Sequence, residues 1–343
     1  MFKLSSFFST ILLLSCAVAS SEGDPTCKPA NGYTVCHNKG VLVEVTQQQS
    51  EEKLEIEDLD LLAVRENAFK NLTTTRLSFS FGNKISVVQR ESFRGLEKLE
   101  RLDLDSNVVP LSANLFAELK QLHSLSIIFN KINKVPRDSF AGLANLMWLY
   151  LGHNDIESID KASFSGLSSS LMFLWLNDNK IAAVEAASFS QMPELSRLHL
   201  ENNRLSTIQP GTFRGLHKLD GLFLEQNQLT RVSRVDFKGL IDLRILHLQD
   251  NRISDVEAGA FSDLGQLEQL DLKKNQLDHV QPAMLSGLSG LKKIDLSDNR
   301  IAVVDPGAFA GCTALRTVHL GNNNISNVDR KEFGLPTLAI LYT

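Results

Sequence analysis

The sequence predicts an α/β solenoid in which each repeated unit adds one short strand, and three observations predict it. Asparagine recurs at 83, 107, 130, 154, 179, 203, 227, 251, 275, 299 and 323, with every interval 24 residues except one of 23 and one of 25. A second ladder runs through Phe69, Phe93, Phe116, Phe140, Phe164, Phe189, Phe213, Phe237, Phe261, Phe309 and Phe333, with Leu285 as its one substitution. Between the two ladders the unit reads LxxLxLxxNxLxxIxxxxFxGL, as in LRILHLQDNRISDVEAGAFSDL over residues 243–264. A unit of this length exceeds any single helix or strand pattern. Each unit must therefore be one coil, unable to bury its apolar face alone and stacked on its neighbours.

Within a coil each position has a physical reason. In LxL the leucines alternate with period two, so they face the core and the intervening residues face out, giving one short parallel strand per coil. The ladder asparagine follows where the chain turns, and its amide offers both donor and acceptor to backbone groups that the turn would otherwise bury unpaired. Phenylalanine then fills the wider side of the coil. The 23-residue step is explained by NVVPLSANLF, residues 107–116, which is one residue short and carries Pro110; the 25-residue step comes from Ser168, Ser169 and Ser170 before the next strand. In RLSFSFGN, residues 76–83, the apolar alternation is displaced by one residue, which predicts a bulge or local register shift.

The chain resembles extracellular leucine-rich repeat proteins of the 24-residue animal type, with repeats similar to those of Slit, Toll ectodomains and the acid-labile subunit, from about residue 54 to the end. The resemblance implies a horseshoe with the parallel sheet on its concave side and loops or short turns on its convex side. It implies protein or ligand binding as the shared role, with members differing in what they bind.

The ends have their own logic. Lys3, the apolar run FFSTILLLSCAVA and the small-residue exit Ala17-Val18-Ala19 have the anatomy of a secretory signal peptide over residues 1–19, which places the mature protein outside the cell. No later run is long enough to span a membrane. Residues 20–53 are expected to cap the first coil, with Cys27 and Cys36 paired in an oxidising compartment and VLVEV as a strand. Known caps of the family usually carry four cysteines, and two are present here. Cys312 stands where most coils place leucine and is expected to fill a core slot. Asn71-Leu72-Thr73 and Asn324-Ile325-Ser326 are glycosylation sequons at Asn71 and Asn324. The solenoid of about 12 coils occupies residues 54–343 and its last coil, in KEFGLPTLAILYT, stops early. That coil can serve as a plain cap, pair its edge with another copy as a homo-oligomer, or belong to a longer receptor.

Function should lie on the outward strand positions, which repeat roughly 5 Å apart from coil to coil. The row between the paired leucines reads Asp103, Ser126, Tyr150, Trp175, His199, Phe223, His247, Asp271, Asp295, His319; the row two residues earlier reads Arg101, Ser124, Trp148, Phe173, Arg197, Gly221, Ile245, Gln269, Lys293, Thr317. Both tryptophans of the chain fall in adjacent coils, beside Tyr150 and Phe173. Ile128, Phe223 and His199 border this patch, and Arg197 is placed to stack on Phe173. Tryptophan and tyrosine are the types most enriched at binding hot spots, which points to a protein or peptide partner held around Trp148, Tyr150, Phe173 and Trp175. The alternative is that these rings merely pack on one another across the strands. Met147 and Met172, just before the strands, are expected to turn inward.

Other chemistries are disfavoured by the sequence. A formal net charge of −5 without a run of consecutive Lys or Arg offers no footprint for nucleic acid. Asp271 and Asp295 lie among Lys273, Lys274, Lys292 and Lys293, as in a solvated, self-neutralised charge ladder. His319, Asp295 and Ser297 could be imagined as a hydrolytic set, but Ser297 and Asp295 share one strand on an open face with no oxyanion donor in view. His199 and His247 are two coils apart, roughly 10 Å by strand spacing, too far to share one zinc. No cofactor, metal or catalytic residue is expected.

Overall fold

The computed structural model describes residues 23–167 and 169–343; the expected signal peptide and Ser168 of the serine run lie outside the described residues. Thirteen short strands form one parallel sheet, each inner strand hydrogen-bonded to the coil before and after it. They run from Lys53–Glu55, Arg76–Ser78, Arg101–Asp103 and Ser124–Ser126 through Trp148–Tyr150, Phe173–Trp175, Arg197–His199 and Gly221–Phe223. The sheet continues through Ile245–His247, Gln269–Asp271, Lys293–Asp295 and Thr317–His319 to Ile340–Tyr342. The eleven asparagine coils thus have one coil before them and one after.

At the start, Thr26–Ala30, Tyr33–Asn38 and Val41–Gln47 form an antiparallel meander, with Cys27 directly opposite Cys36 and joined to it by a disulfide. Val41–Gln47 pairs in parallel with Ala63–Val64, which pairs with Val87–Val88, so the cap leads straight into the far side of the coils. Two-residue ladders recur on that side, as in Ser158–Ile159 with Ala183–Val184. Among the described residues helix is confined to the 3-10 turn Arg90–Phe93, and the return segments are otherwise built from turns.

The core is the inside of the coil. The strand leucines, apart from half-buried Leu341 in the last coil, and the phenylalanine ladder are buried, and consecutive rings from Phe93 to Phe261 stack at 5.8–6.5 Å. Each ladder asparagine ties its coil to the previous one. Asn179 Nδ2 donates to the carbonyls of Leu151, Leu176 and Asn177, while its Oδ1 accepts from the Ile156 N–H. This consumes groups that would otherwise be buried unpaired. The residue just before the asparagine is left-handed in every coil, from Gly82 and Ser106 to Asp298 and Asn322, which lets the amide swing inward. Cys312 occupies its leucine slot fully buried, and burial pushes its thiol up to about 11.

The irregularity expected within residues 76–83 is present as a one-residue shift, with the Ile56 N–H donating to the Ser78 carbonyl and the Asp58 N–H to that of Phe81, but it leaves the strand itself in register. Arg76, Leu77 and Ser78 pair in register with Arg101, Leu102 and Asp103, and Leu77 and Phe79 face inward. The extra residue is accommodated after the strand, between Phe79 and Asn83. There Gly82 passes so close to Asp58 that a Cβ would lie 2.1 Å from its carboxylate, and Phe81 is left 66% exposed.

Candidate functional site

The outward rows align as the repeat requires: Tyr150 is opposite Trp175, Trp175 opposite His199, His199 opposite Phe223 and Phe223 opposite His247. Because the strands bring these positions together at near-constant spacing, their rings form one continuous ladder. Centroids are 4.2 Å apart for Tyr150 and Trp175, 5.3 Å for Trp175 and His199, and 4.2 Å for His199 and Phe223, all nearly parallel. His247 closes the ladder edge-on to Phe223 at 5.1 Å. Beside it, Trp148 stacks on Phe173 at 6.1 Å, and Phe173 on Trp175 at 5.9 Å. The lateral packing that the sequence left open is therefore present. Ring faces are turned to one another and the rings are half-buried, so their edges form the surface open to solvent.

Three neighbours depart from expectation. Arg197 does not lie on Phe173: its guanidinium pairs with Asp220 at 2.6 Å, crossing over Gly221. A Cβ at Gly221 would meet Arg197 Nη1 at 2.5 Å, so this glycine is what makes the crossing possible. Met172 is 38% exposed and Met147 half-buried, because Leu146 and Leu171 already occupy the inward positions at the entry of each strand. Ile128 is half-buried at the border, its N–H donating to Asp105.

The charged surroundings are more specific than the rows alone suggest. Near the Tyr150 end, burial pushes the Asp105 carboxyl up to about 6, opposed by the Ser126 hydroxyl and helped by neighbouring Asp103. Burial also raises the Tyr150 phenol. At the far end three of the four lysines pair outside the aspartate row, Lys273 with Asp298, Lys274 with Asp250 and Lys292 with Glu268, while the Lys293 charge favours the ionised form of Asp271. Asp271 and Asp295 are held instead by the N–H groups of Lys273 and Ser297, and the Asp271 carboxyl is raised, mainly by burial. The Ser297 hydroxyl donates to Asp295 while His319 stacks on Tyr342 at 4.6 Å, which is not a nucleophile and base arrangement. Among the described residues no group of three or more His, Cys, Asp or Glu is placed to hold a metal ion.

A third row lies two residues beyond the central one, and of it the sequence singled out Ile128, Lys273 and Ser297 but not the positions between. It carries Asn177, Glu201, Glu225, Gln249 and Lys273. Glu201 Oε1 meets His199 Nδ1 at 3.0 Å, and Glu225 Oε1 meets His247 Nδ1 at 3.7 Å. The second oxygens of both glutamates and the amide oxygen of Gln249 are buried without a protein donor. Their signal in the sequence is their place one residue past the second leucine of each LxL.

Comparison with known proteins supplies the context. The leucine rich repeat family model matches overlapping segments at residues 71–132, 120–181, 144–205, 169–229, 193–253, 241–301 and 289–342. No match was found among curated proteins. The fold is similar to the crystal structure of TLR13 in complex with ssRNA13, at TM-score 0.75 and 27% identity, covering 78% of this chain. The match spans only 39% of the TLR13 chain. It is also similar to a chain in the octameric complex of Latrophilin 3, Unc5D and the leucine-rich repeat protein FLRT2, at TM-score 0.55 and 24% identity, covering 66% of this chain and 76% of that one. Among the described residues no helix is long and apolar enough to cross a membrane.

Proposed function

We propose that this chain, which belongs to the leucine-rich repeat family, is an exported binding protein that holds a protein or peptide partner on its concave sheet, over Trp148, Tyr150, Phe173, Trp175, His199 and Phe223. The observation that carries this reading is the unbroken stack of rings from Tyr150 to His247, a broad, rigid and mostly apolar strip on an otherwise polar face. A stacked strip is already ordered, so docking onto it loses little side-chain entropy, and aromatic anchors of this type dominate binding energies. One structural neighbour is a complex with RNA, so the fold does not fix the partner class. The surface favours protein: Asp103, Asp105, Glu201, Glu225, Asp271 and Asp295 line the rows where phosphates would have to lie. Asn71 and Asn324 are exposed and outside these rows, so glycans on both would leave the concave face clear.

The test is capture of binding proteins from the native extracellular fluid by wild type and by the double variant Trp148→Ala, Trp175→Ala. Loss of about 2 kcal/mol or more in affinity is expected, with a cooperative unfolding transition kept at somewhat lower stability because two stacked rings are removed. Unchanged capture by a folded double variant would refute the docking face.

A second reading rests on the outermost strand. Leu338, just before that strand, is 90% exposed, and Ile340 and Tyr342 within it are 54% and 50% exposed, an apolar edge of the kind that pairs with another copy in a structural or matrix protein. Light scattering decides it. A monomer mass for wild type, unchanged by Leu338→Glu, would remove this alternative.

A further inference from the structure

The docking face has a charged wall whose hydrogen bonding is incomplete within the chain. Glu201, Glu225 and Gln249 occupy the same position in three successive coils, so their side chains follow one another at roughly 5 Å intervals. Glu201 Oε2, Glu225 Oε2 and Gln249 Oε1 are buried, and none meets a donor from the protein. Among the described residues neither glutamate forms an ion pair with a lysine or arginine; their ion-pair partners are His199 and His247. The nearest cation in the row, Lys273, is turned away to Asp298. Three acceptors in line, two of them carboxylate oxygens, are costly to keep without a donor, and because the Glu201 and Glu225 side chains are 22% and 19% exposed, a change of rotamer brings the unpaired oxygens within reach of a docked group.

We propose that this wall seats an arginine side chain of the docked partner, a reading that rests on the concave docking face proposed above. The aromatic ladder beside the wall presents ring edges, which are the positive part of the ring quadrupole, because the faces are occupied by neighbouring rings. A cation is therefore directed away from the rings and onto the glutamates. Guanidinium fits better than ammonium for two reasons. Its planar fork carries five N–H donors that can serve acceptors on successive coils at once, and it is the more weakly hydrated cation, so it loses less on entering a half-buried groove. Its apolar stem would lie along Phe223, between His199 and His247.

The experiment selects binders from a random dodecapeptide display library against the full chain, the isosteric double variant Glu201→Gln, Glu225→Gln, and the double variant Trp148→Ala, Trp175→Ala. Arginine should be enriched in peptides selected on wild type and not on the glutamine variant. A synthetic peptide from the wild-type pool should weaken about tenfold or more when its arginine becomes citrulline, and that loss should largely vanish on the glutamine variant. No arginine enrichment, or equal affinity of the arginine and citrulline peptides for wild type, overturns the proposal. Lysine serving equally well in the same peptide overturns the choice of guanidinium. Binders that depend on the tryptophans yet carry no arginine would sink the seat and keep the docking face. Arginine peptides that ignore the tryptophan changes would do the reverse.

Discussion

The chain carries two aromatic ladders on the same repeat, one inside the coil and one outside, and they differ in what they do. The interior phenylalanines are fully buried and stack at 5.8–6.5 Å. The outer parallel rings, Tyr150 to Phe223, stack at 4.2–5.3 Å and are half-buried. Parallel strands sit roughly 4.8 Å apart, so the outer ladder reports the strand spacing, whereas the phenylalanines report the larger spacing on the far side of the coil. That difference is curvature: coils pinched at the sheet and spread behind it bend the solenoid toward its strands. The interior ladder needs only volume and tolerates Leu285 in place of a ring. The outer ladder is confined to five coils, and no packing requirement of the repeat calls for it.

The largest effect should separate the two ladders directly. Phe189→Ala removes a buried ring between Phe164 and Phe213 and should lower stability by about 3–5 kcal/mol in chemical denaturation. Phe223→Ala, on the outer ladder, should cost about 1–2 kcal/mol, the worth of its ring contacts and partial burial. Equal losses would show that the outer rings are structural. Next comes Cys312, inside the coil. With its thiol pushed from 9.0 to about 11, thiolate at mildly alkaline pH is about a hundredfold scarcer, and burial blocks access besides. Alkylation in the native protein should be slower than in denatured protein by at least that factor; fast native labelling would contradict the buried slot.

How much of this was legible in the sequence follows from what the repeat constrains. The coil, the sheet direction, the leucine interior and the strand rows all follow from the 24-residue period, since a residue's place in the unit fixes its side. Asn179 bonding across two coils was foreseeable from amide chemistry. That residues 76–83 hold an irregularity was legible too, but not its place: they absorb the extra residue after the strand, because shifting the strand would have turned Leu77 and Phe79 out of the core. Side-chain direction within a row was equally hidden. Arg197 was free to choose Phe173 or Asp220, and a close carboxylate across a glycine prevailed. The Glu201, Glu225 and Gln249 wall was readable by position but not by state, because whether an oxygen finds a donor depends on its neighbours' rotamers.

A smaller effect tests the acidic border of the outer ladder. The Asp105 carboxyl is raised from 3.8 to about 6, so the folded state binds the proton more tightly than the unfolded chain. Its contribution is therefore fully present below about pH 4 and is lost as pH rises through about 6. Asp105→Asn keeps an acceptor for the Ser126 hydroxyl and the Ile128 N–H without the buried charge. The variant should match wild type near pH 4 and exceed it at pH 7 by on the order of 1 kcal/mol, after allowing for solvent screening of a partly exposed group. A difference independent of pH would show that Asp105 acts through its hydrogen bonds alone.

The smallest effect concerns Phe129, where the two demands on the chain collide. The position before each ladder asparagine is left-handed, with φ from 51° to 66°, and other coils fill it with Gly, Ser, His, Asp, Asn, Gln or Lys. Phe129 adopts φ 54° there while 53% exposed, although a bulky side chain in this region is disfavoured by about 1 kcal/mol or more. Its ring stacks on His153 at 4.5 Å, an exposed contact that offsets part of this strain, on the order of 0.5 kcal/mol. Phe129→Asn relieves the backbone and loses the stack, so a net gain of about 0.5 kcal/mol in thermal or chemical unfolding is expected. A loss of about 1 kcal/mol instead would mean that the ring stack outweighs the strain, and Phe129 would then belong with the interior phenylalanines as a structural ring.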